Sequence, residues 1–506
     1  MLSALYFSII FGLSSKNNIP ESVRPQFLEC IFLGRLRAAK ALVSAWIDET
    51  ETTLSRPPVH AAWQVQGDLQ LLTGVMEEAE ECYRRSQKTI RGSKSALRIA
   101  SCRNTAWMAL FRYRLPTALS CFSQITKEME ANSIQLAEAH FGIACTLYEM
   151  GRVNETIKAL DSLAQSIERL KKLPDQTAPQ WIEVLEVLRV DVTTQAELRT
   201  TTSLDDHVYW RSGQIAAYGS NAHLPKFPKH DTTISVLRVR SEYLKSLHST
   251  MREDVHAVSD LYRHIEWAAN LGIIEYLRAV RLECTLATLV GRFPNHASTI
   301  LQPLNHTVRI GTAGRAQLEY LYCAAKVFEF QGRVSDMQQT YRRYALVAMQ
   351  SLREDANIRL IANESVATSS RIDHIGVRLP VRYRAAYLYL LENLEYSDLS
   401  IGEVAASIGV TPRALQLTFK QYIGLSPAEL IRKKRMEHIR EDLLNEKNVS
   451  QQSVRDIARK WGVENRSSLI SSYRAQFHET PSDTLKRSGR PSFSDAADRG
   501  SCHGLS

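Results

Sequence analysis

The sequence predicts an all-α protein: a long array of helix pairs followed by two copies of a compact helical unit. The 506 residues include only 22 Gly and 16 Pro, too few for a β-protein dense in turns. A glycine recurs about every 40 residues through the first two thirds of the chain. A set of small, apolar and turn residues near the C-terminus recurs after 53 or 54 residues. The length exceeds what one hydrophobic core supports, so we expect at least two domains.

Composition indicates a folded protein with reduced thiols. Hydrophobic residues make up 44% and charged residues 23% of the chain, which excludes global disorder. The formal charge of +9 permits a polyanionic partner without requiring one. The eight cysteines contain no CxxC pair, so we expect neither a zinc module nor a disulfide scaffold. We therefore expect a cytoplasmic protein with no metal site.

The N-terminus is apolar over residues 1–13 (MLSALYFSIIFGL). This run is shorter than the ~20 residues that a membrane-spanning helix needs. No basic residue precedes it and Lys16 follows it, the wrong order for a secretory signal. A buried first helix, or a start codon placed too far upstream, is favoured over an export signal. No other stretch approaches membrane length, so we expect no membrane partner.

The recurring glycine predicts a helical unit of about 40 residues. The glycines lie 40, 77 and 41 residues apart within two groups, and Tyr113 stands where the unit inside the longest interval needs its glycine. The positions are Gly34, Gly74, Gly151, Gly291 and Gly332. In the best-formed unit, Gly67 is expected to let two helices approach, and Tyr83 to fill the groove towards the next pair.

A single helix pair cannot bury its apolar face, so such units stack into a solenoid. The pattern resembles degenerate, somewhat long tetratricopeptide repeats, as in the sensor regions of some large bacterial transcription activators. An irregular α-bundle is the alternative. We expect residues 1–360 to form a sensor or interaction domain whose concave surface takes an effector or protein partner.

Residues 200–233 interrupt this pattern with glycines, prolines and alternating aromatic residues. A tolerated insertion is the favoured interpretation; a ligand lid or an inter-domain hinge are the alternatives.

Residues 361–380 are polar and predict a linker, after which residues 382–395 predict an apolar helix. Ser400 and Glu403 have the spacing of a capping box at the start of the next helix. That helix is expected to stop at Gly409, where a left-handed turn suits glycine.

Thr411 and Pro412 predict the start of a further helix, with threonine as the cap and proline at the first helical position. A helix, a glycine turn and a capped second helix are the geometry of a helix-turn-helix. Leu415 and Phe419 are expected to face inward. The residues left to point outward are Arg413, Gln416, Leu417 and Lys420.

The same arrangement recurs further along the chain. Three positions repeat after 53 residues: Ala405, Gly409 and Val410 as Ala458, Gly462 and Val463. Three more repeat after 54 residues: Leu415, Phe419 and Pro427 as Leu469, Tyr473 and Pro481. Between the copies, residues 427–445 predict a helix about 28 Å long. Such a rod suits two recognition helices roughly 34 Å apart in successive segments of the major groove.

Residues 382–487 resemble the DNA-binding domain of the AraC/XylS family of bacterial transcription regulators. The matching stretches are IGEVAASIGVTPRALQLTFKQYIGLSPAEL and VRDIARKWGVENRSSLISSYRAQFHETPSDTL. The resemblance implies a seven-helix double helix-turn-helix domain over residues 381–487 that binds promoter DNA. It also implies activation of transcription through contact with RNA polymerase.

The resemblance places base contacts on two sets of residues. The first set is Arg413, Gln416 and Leu417; the second is Arg466, Ser467, Ser468, Ile470 and Ser471. Arginine pairs bidentately with guanine and glutamine with adenine, so the first set fits the chemistry independently. Phosphate contacts are expected from Lys420, Arg474 and the amides at the capped helix starts.

Three residues depart from the family pattern. His478 replaces a glycine whose counterpart in the first unit is Gly424, Val463 stands for a phenylalanine, and Ser471 for a longer reader. We therefore expect the second unit to clamp the backbone more than it selects bases. The basic run 432–435 circles its helix, so a solvated face with one inward-folded side chain is expected.

The sequence thus predicts a non-enzymatic, sequence-specific DNA-binding transcription regulator, an activator, controlled through its repeat region. Nucleotide-binding, serine-hydrolase and zinc-protease motifs are absent from the sequence, and we expect no catalytic residue, cofactor or metal. The expected partners are double-stranded promoter DNA, RNA polymerase and an unidentified effector or protein; a homodimer is left open. We expect a bacterial cytoplasmic protein associated with the nucleoid, with a disordered tail over residues 488–506. The alternative is an interaction scaffold whose C-terminal helical domain does not bind DNA.

Overall fold

The computed structural model describes residues 3–52, 59–90, 94–172, 177–212, 232–307, 314–363, 379–444 and 453–487. Every regular element in these ranges is a helix, in agreement with the predicted all-α class. The chain divides into two compact units, residues 1–365 and 366–506. Most of the predicted linker (364–378) and the predicted tail (488–506) lie outside the described residues.

The first unit consists of helices joined mostly as antiparallel pairs. Its helices are α1 (Ser3–Ser15), α2 (Arg24–Phe32), α3 (Leu36–Thr52), α4 (Val59–Leu72), α5 (Met76–Thr89), α6 (Lys94–Phe111), α7 (Leu115–Ile125), α8 (Ser133–Glu149), α9 (Val153–Leu170), α10 (Ala178–Thr200), α11 (Val208–Ser212), α12 (Ser235–Met251), α13 (Val255–Leu271), α14 (Ile274–Val290), α15 (Pro294–Leu301), α16 (Leu304–Thr307), α17 (Leu318–Phe330) and α18 (Val334–Asn363).

One turn closes the helix pairs. At Gly74, which is left-handed, the amide donates to the Leu71 carbonyl at 3.1 Å, and the next amide donates to the Gln70 carbonyl at 3.0 Å. These bonds satisfy carbonyls that the ending helix leaves free. The left-handed residues of such turns are Gly34, Gly74, Tyr113, Gly151, Glu253, Arg292 and Gly332. They lie 38–40 residues apart except across the interval from 151 to 253.

The turns refine the predicted repeat. Tyr113 occupies the position predicted for it, with a φ of +56°. Gly291, in contrast, is not the left-handed residue of its turn, because Arg292 takes that conformation with a φ of +63°. Gly291 serves a close approach, since a Cβ there would collide with the Thr250 carbonyl oxygen. The pair around Glu253 is missed by the glycine pattern because glutamate fills its turn.

Close approach within a pair depends on a small residue facing an aromatic ring. A Cβ added at Gly67 would lie 2.6 Å from the ring of Tyr83 on the partner helix. The Tyr83 hydroxyl donates to Asp68 at 2.7 Å. Tyr83 therefore packs inside its own pair, rather than in the groove towards the next pair, as the sequence suggested.

Helix α1 is buried on all sides. It packs against α2, α4, α8, α10 and α14, so it contacts both early and late helix pairs. Phe7 lies 4.2 Å from the Trp107 ring, and both are 0% exposed. The interpretation of the apolar N-terminal run as a buried first helix fits this placement. Among the described helices, none is long and apolar enough to cross a membrane.

A buried charge network anchors α1 to the later helices. Arg240, which is fully buried, donates to Asp191 at 2.7 Å and 2.8 Å and to Glu283 at 2.9 Å. The Tyr6 hydroxyl of α1 donates to Asp191 at 2.7 Å. A buried ion pair is sustained by such additional hydrogen bonds, because they offset the loss of hydration.

The described start of the interrupting segment belongs to the core. His207 is fully buried, stacks on Tyr322 at 4.0 Å and shares a hydrogen bond of 2.8 Å with the Tyr344 hydroxyl. Residues 200–212 are therefore not a tolerated surface insertion, because their aromatic rings complete the packing of α17 and α18. Residues 213–231 lie outside the described residues.

The second unit contains seven described helices. They are α19 (Val381–Glu392), α20 (Ile401–Ser407), α21 (Pro412–Ile423), α22 (Pro427–Leu444), α23 (Val454–Lys460), α24 (Arg466–Phe477) and α25 (Pro481–Arg487). Two cores form, one around α19–α21 and one around α23–α25. Helix α22 contributes Leu430 and Ile431 to the first and Met436, Ile439 and Leu443 to the second.

Candidate nucleic-acid interface

Helix α21 presents the first set of predicted readers. The Thr411 hydroxyl accepts the Ala414 amide at 3.2 Å, which confirms the predicted cap. Leu415 and Phe419 are fully buried, so the helix is fixed in one rotational phase. That phase leaves the predicted outward residues exposed: Arg413, Gln416, Leu417 and Lys420. Leu417, an apolar side chain, is 61% exposed.

Helix α24 presents the second set in the same way. Leu469 and Tyr473 are buried, and the exposed residues are Arg466, Ser467, Ser468, Ser471 and Arg474. Ile470 is half-buried, so less of it is available to a base edge than predicted. The Ser471 hydroxyl donates to the Ser468 carbonyl at 3.2 Å.

The cap of α24 uses amides that were expected to bind phosphate. The Asn465 side chain accepts the Ser467 amide at 2.8 Å and the Ser468 amide at 3.3 Å. In α21 the Thr411 hydroxyl engages a single amide, that of Ala414. Amides remain more available to a phosphate at the start of α21 than at α24.

The capping residues repeat between the two units, a signal that the sequence comparison overlooked. Ser426 and Glu429 cap α22 by exchanging amide bonds of 2.7 and 3.3 Å. Thr480 and Asp483, 54 residues later, cap α25 with bonds of 3.0 and 3.2 Å. Polar pairs at the same offset as the apolar residues indicate that helix starts are duplicated as well as cores.

The predicted capping box at α20 forms only in part. Ser400 accepts the Glu403 amide at 3.1 Å, whereas the Glu403 carboxylate accepts the Tyr389 hydroxyl at 2.7 Å. The counterpart in the second unit, Ser453 with Asp456, is a complete capping box. Tyr389 on α19 draws the glutamate into the packing, which the local sequence pattern does not reveal.

Exposed cations on both recognition helices are free to meet a polyanion. Within the described residues, no hydrogen bond or ion pair involves Arg413, Lys420, Arg466 or Arg474. Exposed arginine and lysine side chains without an acidic neighbour are the groups that neutralise phosphates and release counterions.

The basic run 432–435 on α22 behaves as predicted, with one side chain folded inward. The Arg435 guanidinium donates to the Leu394 carbonyl at 2.9 Å and also to the Tyr396 carbonyl. Lys434 pairs with Glu437 at 3.1 Å. Arg432 and Lys433 remain exposed.

Contacts around Trp461 tie the two helix-turn-helix units together. Trp461 packs against both cores, stacks on His438 at 4.3 Å and donates to Asp442 at 2.9 Å. A Cβ at the adjacent Gly462 would lie 2.9 Å from Arg435 and 3.0 Å from the Glu395 carbonyl oxygen. The second unit therefore sits directly on the first, and α22 is not a free linker.

The described residues contain no cluster of three or more His, Cys, Asp or Glu side chains suited to a metal ion. The exposed groups on α21 and α24 supply hydrogen-bond donors, positive charge and small hydroxyls, which suit a nucleic acid.

Comparisons with known proteins follow the same division. The family described as Helix-turn-helix domain matches residues 389–487. The Regulatory protein HrpB of Ralstonia nicotianae is 32% identical over 496 residues, covering 96% of this chain and 100% of the relative. The XylDLEGF operon transcriptional activator 1 of Pseudomonas putida is 32% identical over 99 residues, which are 20% of this chain and 29% of that one. Similarity to HrpB therefore spans both units, whereas similarity to the operon activator is confined to a fifth of the chain.

One solved structure also matches. The C-terminal domain of AraT, a response regulator from Geobacillus stearothermophilus, is 24% identical, with a TM-score of 0.20. The match covers 26% of this chain and 98% of that domain.

Proposed function

The chain belongs to the AraC/XylS-type family of helix-turn-helix regulators, and we propose that it activates transcription by reading promoter DNA under the control of its repeat region. It is a DNA-binding transcription regulator, as its matched domain and its relative over the full length indicate. Activation is the function named for the Pseudomonas putida relative and is extended here to this chain. In the proposed organisation, residues 1–360 sense and residues 381–487 bind DNA.

The observation that supports this function is the pair of recognition helices, each held by a side-chain cap and two buried anchors. Thr411 with Leu415 fixes α21, and Asn465 with Leu469 fixes α24. An 18-residue α22 is about 27 Å long, which fits two helices reading grooves about one helical turn apart.

The proposed roles divide between the two helices. Arg413, Gln416 and Leu417 read bases, because their exposed groups match guanine, adenine and the thymine methyl group. Lys420 and Arg474 bind phosphates on either unit. Small hydroxyls, a half-buried Ile470 and a cap that occupies two amides make α24 the weaker reader. Its proposed base contacts come from Arg466, Ser467, Ser468, Ile470 and Ser471.

Further partners belong to the same proposal. RNA polymerase receives the activating contact, and an effector or protein binds the repeat region. The protein acts at the nucleoid in the bacterial cytoplasm, as a monomer or a homodimer. No catalytic step, cofactor or metal is assigned to it.

Mobility-shift titrations of the full chain with DNA from its own upstream region, at several salt concentrations, test the readers. Arg413→Ala should lose about 1–3 kcal/mol of discrimination at one base step, because a bidentate pair is removed. Lys420→Ala should weaken binding to every duplex alike and reduce the salt slope by about one. Binding of all duplexes by both variants as by the wild type would show the reader assignment to be wrong.

Arg263→Ala is the matched control, since it removes one positive charge from a side chain of the first unit that is 77% exposed. It should leave discrimination and salt slope unchanged. A wild-type protein that binds no duplex specifically would favour the interaction scaffold.

A further inference from the structure

The first unit contains a polar cavity where early and late helix pairs meet. Its empty volume is about 620 Å³, including the open mouth. The lining comes from the turn after α6, the end of α8, helices α10, α11, α14 and α17, and the segment before α17. The charged and aromatic lining residues are Tyr113, Tyr148, Glu149, Arg199, Tyr209, Trp210, Arg278, Glu283, Arg315 and Glu319.

Two arginines of this cavity have donors without an acceptor. The Nε of Arg278 and both the Nε and Nη1 of Arg315 are buried and have no hydrogen-bond partner within the described residues. The Arg278 residue is 8% exposed, and the Arg315 side chain is 6% exposed. An unsatisfied buried charged donor costs more than a neutral one, and such exceptions call for an explanation.

The remaining charges of the cavity are already matched, which leaves Arg278 as the unneutralised cation. Arg199 pairs with Glu319, and Glu283 pairs with Arg240 at 2.9 Å. Arg315 pairs with Asp355 at 2.7 Å. Arg278 donates to the Ala316 carbonyl and forms no ion pair within the part of the chain that the structure describes.

Glu149 does not neutralise the cavity. Its Oε1 has no hydrogen-bond partner within the described residues. Burial raises the pKa of the Glu149 carboxyl, which moves it towards its neutral form. A neutral carboxyl repels an anion less than a carboxylate does, and it can itself donate a hydrogen bond.

A strained residue also lines this cavity. Tyr113 holds a left-handed φ of +56°, a conformation that four of the other turns in the first unit give to glycine. Its hydroxyl donates to Glu275 of α14 at 3.1 Å, across 162 residues of sequence. Strain of this kind persists where surrounding contacts hold it and commonly marks functional sites. Here the ring joins an early turn to a late helix at the cavity wall.

We propose that this cavity binds a small anion through a carboxylate or phosphate group held by Arg278 and Arg315. The free donors of these arginines are arranged for oxygen acceptors, and guanidinium groups favour both kinds of anion. The bound anion would connect residues from early and late helix pairs and stabilise their contact. The inference rests on the proposed function, because it identifies the ligand class that the repeat region senses.

Thermal unfolding of the full chain, titrated with inorganic phosphate or sodium acetate against sodium chloride at equal ionic strength, tests the site. The wild type should show a saturable rise in Tm with at least one of the two anions. Saturation by phosphate alone identifies a phosphate ligand, and saturation by acetate alone identifies a carboxylate. Arg278→Gln should bind at least tenfold more weakly, whereas Arg263→Gln on the surface should match the wild type.

Arg278→Lys keeps the charge but loses the Nε donor, so it provides a second variant if the glutamine variant does not fold. It too should bind several-fold more weakly. If neither anion gives a saturable shift, or if all variants respond as they do to chloride, the cavity holds water only and the proposal is overturned.

Mobility shifts on the same samples separate this proposal from the proposed function. Specific DNA binding without a saturable anion response overturns the cavity site alone. A saturable response without specific DNA binding overturns the proposed function and retains the cavity site.

Discussion

Residues in the left-handed conformation close the recognition helices of both units, with different chemistry. Helix α21 ends at Gly424, whose φ is +83°, and α24 ends at His478, whose φ is +59°. A side chain in this conformation costs roughly 1–2 kcal/mol, because its Cβ approaches the following carbonyl. The departure from the family pattern at His478 therefore carries a backbone cost rather than a new contact within the described residues.

His478→Gly should raise the free energy of unfolding by about 0.5–1 kcal/mol, since relief of the left-handed strain exceeds the extra entropy of glycine in the unfolded chain. Chemical denaturation, with hydrogen exchange of residues 454–487 as the local probe, measures this. Gly424→Ala is the matched control and should destabilise by a similar amount, because nothing lies within 4 Å of an added Cβ and only the backbone is affected. A neutral or destabilising His478→Gly would contradict the strain argument.

At the scale of single helices, the caps of the second unit depend on ionised carboxylates. Hydrogen bonds from the Ser426 amide and hydroxyl lower the pKa of Glu429. Hydrogen bonds from the Ser453 hydroxyl and amide lower the pKa of Asp456. A carboxyl whose pKa is lower in the folded state stabilises the fold above its unfolded pKa. That contribution is lost as the pH falls through the folded value.

Asp456→Asn should therefore flatten the acid limb of the stability profile. The wild type should begin to lose this contribution near pH 4, the unfolded pKa of aspartate being about 3.9, while the variant has no such group to titrate. Stability measured from pH 7 down to pH 3 gives the comparison. Glu464→Gln removes an exposed carboxylate that forms no hydrogen bond within the described residues and serves as control. Parallel curves for Asp456→Asn and the wild type would exclude the cap as their source.

At the scale of the whole first unit, α1 changes how the array holds together. Repeats in a solenoid contact only their neighbours, so such arrays open locally. Here α1 packs against α4 and α8 on one side of the sequence and α10 and α14 on the other. Its burial also occupies inner surface that the sequence left to a partner. Distant pairs are therefore expected to unfold together.

Phe7→Ala should cost about 3–5 kcal/mol, because it opens a cavity against Trp107 and Phe111. Hydrogen exchange followed by mass spectrometry should show faster exchange in α4, α8 and α14 alike. Leu346→Ala, at a side chain that is 70% exposed, should change stability by no more than about 0.5 kcal/mol. Faster exchange confined to α1 and its sequence neighbours would show that the array opens locally.

Much of the candidate interface could be predicted because its determinants are local. The Thr411 cap, the anchors Leu415 and Phe419, and the turn glycines lie within a few residues of the helix that they define. The exposed readers follow from the same phase. The half-burial of Ile470 and the use of two amides by Asn465 were not predicted, because both depend on side-chain geometry.

The sequence by itself determined the helical class, the spacing of the helix pairs, the duplicated reading units and the inward fold of one cation in the basic run. Caps, left-handed turns and apolar periodicity act over one or two helical turns, so they are legible without partners. Tertiary structure alone decided where α1 goes, how Trp461 joins the two reading units, and which residues surround the cavity. Tyr113 and Glu275, for example, meet across 162 residues. Such contacts arise from the packing of whole helices, and no local pattern encodes them.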